Sequence, residues 1–318
     1  MSMKRFFYLI PVLALLACKK RELPVPKHQQ GNINKVSIPM TSSYKYQIYF
    51  SLKNNAIMKQ QLKTLWDICF HCKSKKIILN SSKMMFAMKT NFTNFSDVTD
   101  STGFQQGKRY DSPTGNLDST AIGNWENDNK VYIIDRGFNE NGQHLGFKKL
   151  KIVSFNNQTF TFSVADLNDS QGQTFQVLQD TNYNFIGFSF QDNQIKIIEP
   201  PKTEWDIVFT QYTERLSQPY LVLGCLLNRY NTYATVTKQV TFESLNYNTA
   251  LNYSLSSNIN IIGYNWKEYD FNSSSYIVFS NFTYIIRDSE NYYYKLRFID
   301  FYNSNGEKGY PTFEFQRL

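Results

Sequence analysis

The feature that most constrains this 318-residue chain is a short segment that occurs twice. The first copy is K-T-L-W-D-I-C-F at residues 63–70, and the second is K-T-E-W-D-I-V-F at residues 202–209. In each copy, tryptophan, isoleucine and phenylalanine occupy alternate positions, which puts three large apolar side chains on one face of an extended strand. The segment therefore predicts a half-buried β-strand in each half of the chain, and its recurrence indicates an internal duplication.

A second pair of segments recurs in the same order. V-Y-I-I at 131–134 leads to K-L-K-I at 149–152, and T-Y-I-I at 283–286 leads to K-L-R-F at 295–298. The chain also holds 26 phenylalanines and 22 tyrosines but only 9 prolines, a composition typical of many strands joined by polar turns. We predict an all-β fold of two tandem antiparallel β domains, divided at Pro200-Pro201 into residues 39–199 and 200–318. Among the predicted strands are residues 160–165 in the first half and residues 235–242, 259–264 and 275–286 in the second.

The N-terminus has the pattern of an export signal. Lys4 and Arg5 precede an apolar run over residues 6–16, which is too short to span a bilayer and ends in L-L-A-C at residues 15–18. This ending looks like a bacterial lipobox, so residues 1–17 are predicted to be a lipoprotein signal peptide and Cys18 the lipidated residue. Residues 18–38 are predicted to be a flexible tether, and the protein is expected to be lipid-anchored at the outer membrane, facing the periplasm or the cell exterior.

Charge and motifs exclude several classes of function. The formal net charge is +8, but positive and negative residues are mixed along the chain, which argues against nucleic-acid binding. The sequence contains no G-x-S-x-G turn, phosphate-binding loop or H-E-x-x-H motif. We therefore predict no catalytic residues and a protein that is not an enzyme.

Three cysteines remain after Cys18, and they offer little for metal or redox chemistry. Cys69 and Cys72 are three residues apart on a predicted strand, so their side chains point to opposite faces. A shared metal or disulfide is the alternative to the interpretation we favour, in which Cys69, Cys72 and Cys225 are small buried thiols.

A few residues are candidates for binding an iron-containing group. Met84 and Met88 are four residues apart and flank Phe86, so they either fill an irregular part of the core or offer thioethers to a soft metal or haem iron. His144 lies in a predicted N-G-Q-H loop at 141–144, and His71 directly follows the first W-D segment. Met84, Met88 and His144 are therefore our haem-ligand candidates, and no other metal site is predicted.

Several segments together resemble one protein family. W-D-I-C-F-H at 66–71, L-N at 79–80, G-Y-N-W at 263–266, Y-Y-K-L-R-F-I-D-F-Y at 293–302 and K-G-Y-P-T-F at 308–313 are similar to the HmuY family of surface lipoproteins of Bacteroidetes. The resemblance implies an all-β fold and capture of haem by two axial side chains for delivery to a TonB-dependent outer-membrane receptor. It also implies a framework role for His71 and a ligand just after the tryptophan, where this chain has K-E-Y-D-F at 267–271 without histidine or methionine.

Two functions from different classes remain open. In the first, the protein is a HmuY-like lipoprotein that captures haem, for which tyrosine is also a possible axial ligand. In the second, it is a surface adhesion or accessory module that binds a glycan or a partner protein through exposed aromatic side chains.

Overall fold

The computed structural model describes residues 29–318, so Cys18 and the predicted signal peptide lie outside the described residues. Within this range the chain is nearly all β, as predicted. The strands are β1 (Asn34–Ser37), β2 (Tyr46–Ser51), β3 (Ala56–Leu62), β4 (Ile68–His71), β5 (Ile77–Leu79), β6 (Phe86–Lys89), β7 (Val131–Asp135), β8 (Phe147–Asn156), β9 (Thr159–Ala165), β10 (Gln173–Leu178), β11 (Phe185–Ser189), β12 (Gln194–Lys196), β13 (Ile207–Arg215), β14 (Pro219–Leu227), β15 (Tyr233–Thr237), β16 (Lys267–Asp270), β17 (Ser275–Val278), β18 (Thr283–Arg287), β19 (Tyr293–Tyr302) and β20 (Lys308–Arg317). The helices are α1 (Phe104–Gly107) and α2 (Tyr247–Ala250), with 3-10 turns at Ser81–Lys83 and Phe95–Asp97.

The strands form two sandwiches of antiparallel sheets. In the first sandwich, a sheet with the order β12-β11-β4-β5 packs on a sheet with the order β10-β9-β8-β7-β6. Phe70 from the smaller sheet fills the core between them, with its ring centroid 4.8 Å from those of Phe160 and Phe162. All three phenylalanines are at most 1% exposed, which makes this aromatic cluster a main source of stability for the first half.

The second sandwich repeats this arrangement. A sheet with the order β14-β13-β2-β3 packs on a sheet with the order β1-β20-β19-β18-β15. Its core holds Phe209 of the second W-D segment stacked on Phe313, and Trp266 stacked on Phe298 at a centroid distance of 4.0 Å. The hairpin β16-β17 stands beside this sandwich as a separate two-stranded sheet.

Strand pairing divides the chain differently from the predicted boundary at residue 200. Strands β2 and β3 lie within the predicted first domain, yet β2 pairs with β13 in register Phe50↔Ile207 and Ile48↔Phe209. Strand β1, predicted as part of the tether, pairs with β20 through Val36↔Phe313. The physical reason is that β13 and β20 each present an open edge whose backbone groups need partners, and the N-terminal strands supply them.

The two W-D segments make the same hydrogen bonds. The side chain of Asn80 donates to the carbonyls of Lys63 and Trp66, and the side chain of Asn228 donates to those of Lys202 and Trp205, at 2.7–2.8 Å throughout. The asparagine thus closes the turn that precedes its own W-D strand in both halves. Trp66 and Trp205 pack in separate hydrophobic clusters.

A buried lysine ties loops to the outer face of each larger sheet. Lys149, on β8, is fully buried and its Nζ donates to four backbone carbonyls at 2.6–2.9 Å. Lys295 occupies the corresponding place on β19 and donates to the carbonyl of Leu245 at 2.9 Å. These bonds satisfy a buried ammonium and fix otherwise irregular segments.

Several predicted strands differ from those observed in the second half. The range 275–286, predicted as one strand, is two strands because a turn with a hydrogen bond from Phe282 to Phe279 interrupts it. The range 259–264 is not a strand; it meets β14 through a bridge between Gly263 and Cys225 and a hydrogen bond from the Leu227 N–H to the Ile259 carbonyl at 2.8 Å. The range predicted as 235–242 ends at Thr237.

Candidate functional site

The candidate site is a cavity of about 520 Å³ beside the second sandwich. Five of its lining residues are tyrosines, and we call it the tyrosine cavity. They are Tyr44, Tyr220, Tyr264, Tyr269 and Tyr276. Aliphatic side chains of β14, including Val222 and Leu223, and the buried Lys267 complete much of the lining.

The hairpin β16-β17 forms one wall of the cavity and is fixed by the residue that precedes it. Trp266 is fully buried against Phe298, and its indole N–H donates to the carbonyl of Gly263 at 3.1 Å. The backbone carbonyl of Trp266 accepts a hydrogen bond from the Phe279 N–H at 2.9 Å, which closes the base of the hairpin, opposite its turn. The tryptophan therefore anchors the hairpin, so Tyr269 and Tyr276 are held at the cavity by a packed support.

The tyrosine rings of the wall support one another. The rings of Tyr269 and Tyr276 meet edge to face at 5.2 Å, and Tyr276 packs on the buried Phe301 at 4.9 Å. Burial raises the pKa of Tyr44, Tyr264 and Tyr276 above the ordinary value. These phenols are therefore neutral at physiological pH and present apolar faces with hydroxyl groups that can donate or accept hydrogen bonds.

Two residues with charged side chains, Lys267 and Glu268, line the cavity, and Lys267 is only 8% exposed. Its Nζ donates to the carbonyl of Leu223 at 2.7 Å and lies 4.3 Å from the centroid of the Trp266 ring. Burial lowers the pKa of Lys267 to about 7. An anionic group entering the cavity would favour the protonated amine, because an opposite charge nearby stabilises the charged form.

The haem-ligand candidates from the sequence lie in the other sandwich. Met84 and Met88 are partly buried and pack against the hydrophobic cluster that includes Phe104. His144 is near the edge of this cluster, with its ring 5.6 Å from that of Phe147. Its Nε2 is 2.7 Å from Oδ1 of Asp135. The structure thus brings Met84, Met88 and His144 to one side of the first sandwich, away from the tyrosine cavity, and their ligand role stays a prediction.

The remaining histidine and cysteines of the described range have structural surroundings. His71 Nδ1 is 2.7 Å from the Ser74 hydroxyl, and burial lowers the pKa of His71 to about 4. Cys69, Cys72 and Cys225 are free and buried, and burial raises the pKa of Cys72 to about 11. No group of three His, Cys, Asp or Glu side chains suited to a metal ion occurs among residues 29–318.

A smaller cavity of about 120 Å³ lies between the two sandwiches, and both Trp66 and Trp205 line it. Glu199, also in its lining, accepts hydrogen bonds from the backbone N–H groups of Asn184 and Phe185 at 2.6 and 2.9 Å. Burial raises the pKa of Glu199 to about 7. This cavity is much smaller than those that hold drug-sized ligands.

Sequence reasoning did not identify the tyrosine cavity. Its residues come from segments far apart in the chain, since Tyr44 precedes β2 whereas the other tyrosines lie between residues 220 and 276. One signal was present, because Tyr269 occupies the stretch after Trp266 where the family resemblance implies a ligand.

The described residues contain no helix long and apolar enough to cross a membrane. The sequence matches the family model described as "HmuY protein" over residues 43–315. No curated protein matches the chain. It is similar to a solved structure of an apo HmuY analog from Tannerella forsythia, with 10% identity, a TM-score of 0.36, and coverage of 92% of this chain and 98% of that chain. It is also similar to a solved structure of apo PinO from Porphyromonas gingivitis, with 8% identity and a TM-score of 0.35. That match covers 91% of this chain and 98% of that chain. Structural similarity at these TM-scores does not support an inference about a ligand.

Proposed function

Because the chain belongs to the HmuY family, we propose that it captures haem at the cell envelope and that the tyrosine cavity is the binding site. The proposed role is that of a carrier without catalytic activity. Delivery of the haem to a TonB-dependent receptor is part of the same proposal.

The observation that supports this proposal is the lining of the tyrosine cavity. A volume of about 520 Å³ is in the range of cavities that enclose small ligands and cofactors. Flat aromatic and aliphatic walls suit the apolar faces of a porphyrin. Tyrosine is an established axial ligand of haem iron, and binding of ferric iron favours the phenolate over the neutral phenol.

Tyr220, Tyr264, Tyr269 and Tyr276 are the candidates for iron ligation in this cavity. Tyr44 is less suited, because its hydroxyl is buried and makes no hydrogen bond within the described residues. Lys267 would bind a haem propionate, whose negative charge keeps the amine protonated. The protein's part is to enclose the ring, offer an axial oxygen and neutralise one carboxylate.

Lipid anchoring at Cys18 fits the proposed role, although Cys18 lies outside the described residues. Strand β1 is the first strand of the described residues. It belongs to the second sandwich, beside which the tyrosine cavity lies. The 15 residues between Cys18 and Asn34 span at most about 50 Å when fully extended. The anchor would therefore keep the cavity near the outer-membrane surface and the proposed receptor.

A haemin titration of the protein from Cys18 onward, monitored at the Soret band, tests the proposal. We expect a saturable shift that is weakened at least about tenfold when Tyr220, Tyr264, Tyr269 and Tyr276 are all changed to phenylalanine, which removes hydroxyls but keeps the rings. Tyr310→Phe is the matched control, because Tyr310 lies on β20 and does not line the cavity.

Two further variants separate this site from the sequence-based candidates. Met88→Leu and His144→Gln should leave the titration unchanged if the tyrosine cavity binds haem. Weakening by these variants would instead assign the ligands to the first sandwich. No Soret shift in either oxidation state of the iron would refute haem capture.

A glycan- or protein-binding module is the second candidate, favoured by exposed aromatic side chains near the cavity. Phe271, at the tip of the β16-β17 hairpin, is 86% exposed, and Tyr220 is 63% exposed. Aromatic rings on a surface are typical of such interfaces. Retention on a polysaccharide matrix that is lost in Phe271→Ala, with no response to haemin, would support this alternative.

A further inference from the structure

A second large cavity lies on the first sandwich, close to the end of β13. It has a volume of about 480 Å³ and is lined by three basic side chains, Lys108, Arg109 and Arg215. Lys108 and Arg109 follow α1, whereas Arg215 is the last residue of β13 in the second sandwich. We call it the basic cavity; it shares no lining residue with the tyrosine cavity.

Basic side chains outnumber acidic ones in the lining of the basic cavity. Asp118 is the one carboxylate in its lining, and that side chain is 84% exposed and paired with Lys76 at 2.8 Å. Neither Arg109 nor Arg215 forms a salt bridge with any residue in the described part of the chain. Cations that converge without a counter-charge repel one another and attract an anion.

The polar remainder of the lining suits an oxyanion. Hydroxyl and amide groups face the same space as the cations, and they belong to Ser112, Ser119, Thr120 and Asn124. Arg215 lies over the ring of Tyr110 at 5.7 Å. Stacking on a ring leaves the edge of a guanidinium free to bind phosphate or sulfate through two parallel hydrogen bonds.

The walls of the basic cavity are held by buried hydrogen bonds. Asp111 accepts bonds from the backbone N–H groups of Leu79 and Ala121, both at 2.7 Å. The backbone of Arg109 pairs with that of Ala87 in both directions at 2.8 and 2.9 Å. The loop between the cations and the hydroxyl groups is therefore built before any ligand arrives, which lowers the entropy cost of binding.

We propose that the basic cavity binds a phosphate or sulfate group carried by a larger molecule such as a sugar. The cations and hydroxyl groups recognise the oxyanion, and the volume beyond it accommodates the group to which the oxyanion is attached. Arg215 comes from the second sandwich and the other contacts come from the first, so a bound ligand also joins the two halves. This proposal does not depend on haem capture.

Isothermal titration at low ionic strength tests it with four probes: inorganic phosphate, inorganic sulfate, glucose 6-phosphate and glucose 6-sulfate. We expect saturable binding of the sugar esters, tighter than that of the matching inorganic ion. The two ester arms show which oxyanion is preferred. The double variant Arg109→Gln/Arg215→Gln should weaken binding at least about tenfold while its thermal unfolding midpoint without ligand matches that of the wild type.

The matched control is Lys35→Gln/Lys308→Gln, which removes the same number of charges from exposed positions on β1 and β20. It should bind the esters as the wild type does. Equal weakening in both double variants would show a general effect of net charge and overturn the proposal. The absence of saturable heat with all four probes would overturn it as well.

Discussion

At the scale of single residues, the two W-D segments share a backbone arrangement but differ in electrostatics. Asp67 forms a buried ion pair with Lys83, and Arg136 Nε lies 3.3 Å from the same carboxylate oxygen. Asp206, in the second copy, accepts a bond from the Leu52 N–H at 2.7 Å and forms no salt bridge with another described residue. Burial raises the pKa of Asp206 to about 7.

Replacing each aspartate by asparagine should therefore have different effects. Asp67→Asn leaves two buried cations without their counter-charge, and we expect it to lower the free energy of unfolding by about 3–5 kcal/mol. Asp206→Asn keeps an oxygen that can accept the Leu52 bond, so a loss of about 1 kcal/mol or less is expected. Urea denaturation at pH 6 measures both. Equal losses would contradict the assigned role of the ion pair.

The raised pKa of Glu199 predicts a dependence of stability on pH. Because the pKa is about 7 in the folded protein and near 4.5 in the unfolded chain, the folded state binds the extra proton between these values. The stabilisation from this group is present below about pH 4.5 and is lost as pH rises through 7. The pKa values of Asp111 and Asp206 are raised to about 6 and 7, so both carboxyls add to the same trend.

Glu199→Gln should reduce the fall in stability between pH 5 and pH 8 by roughly 1–3 kcal/mol, since glutamine cannot titrate. Urea denaturation midpoints across this pH range measure the effect. The control is Glu307→Gln, which removes an exposed carboxyl in the β19-β20 turn and should leave the slope unchanged. An unaltered slope in Glu199→Gln would show that this group does not titrate as described.

At the scale of secondary-structure elements, the short strand β1 protects an edge of the second sandwich. Its four residues pair with β20, and Val36 packs against the core. Without β1, the backbone of β20 would present unpaired groups beside buried aromatic residues, a situation that promotes association.

Deletion of residues 1–37 should therefore lower stability by roughly 1–3 kcal/mol and cause concentration-dependent association, compared with a chain that begins at Gln29. Thermal unfolding and analytical ultracentrifugation measure the two effects. Identical behaviour of the two chains would show that β1 contributes nothing to the sheet.

The sequence predicts those elements whose signal is local. Strands β4, β7, β9, β13 and β19 carry alternating or continuous apolar residues with turn residues at their ends, and each is found where it is expected. The pairing of β2 with β13 could not be predicted, because its register depends on an edge that forms more than 150 residues later. The same holds for the tyrosine cavity, whose walls come from Tyr44 and from the β16-β17 hairpin.

At the scale of the whole molecule, the N-terminal strands make the two halves unequal. The first sandwich is built from β4 to β12, which form a continuous stretch of chain. The second is built from β13, β14, β15, β18, β19 and β20 and also needs the N-terminal strands β1, β2 and β3. The two sandwiches have matching strand orders, in which β1, β2 and β3 take the places held by β10, β11 and β12. An origin by duplication remains a hypothesis.

This inequality predicts how fragments of the chain behave. A fragment of residues 63–199 holds every strand of the first sandwich and should fold alone. Residues 200–318 should not, because Phe313 would lose the Phe50 ring that packs against it. Addition of a peptide of residues 29–62 should restore its structure. Near-ultraviolet circular dichroism follows this recovery, and independent folding of residues 200–318 would contradict the assigned role of the N-terminal strands.

The location of haem in the tyrosine cavity is the central functional claim, and NMR with ferric haemin tests it most directly. Paramagnetic iron broadens the resonances of nearby nuclei, so a backbone-assigned protein reports where the iron lies. We predict that one equivalent of haemin broadens amide resonances of Tyr220, Tyr264 and Lys267 and leaves those of Met88 and His144 sharp. Broadening confined to Met88 and His144, or no broadening at all, would contradict the claim.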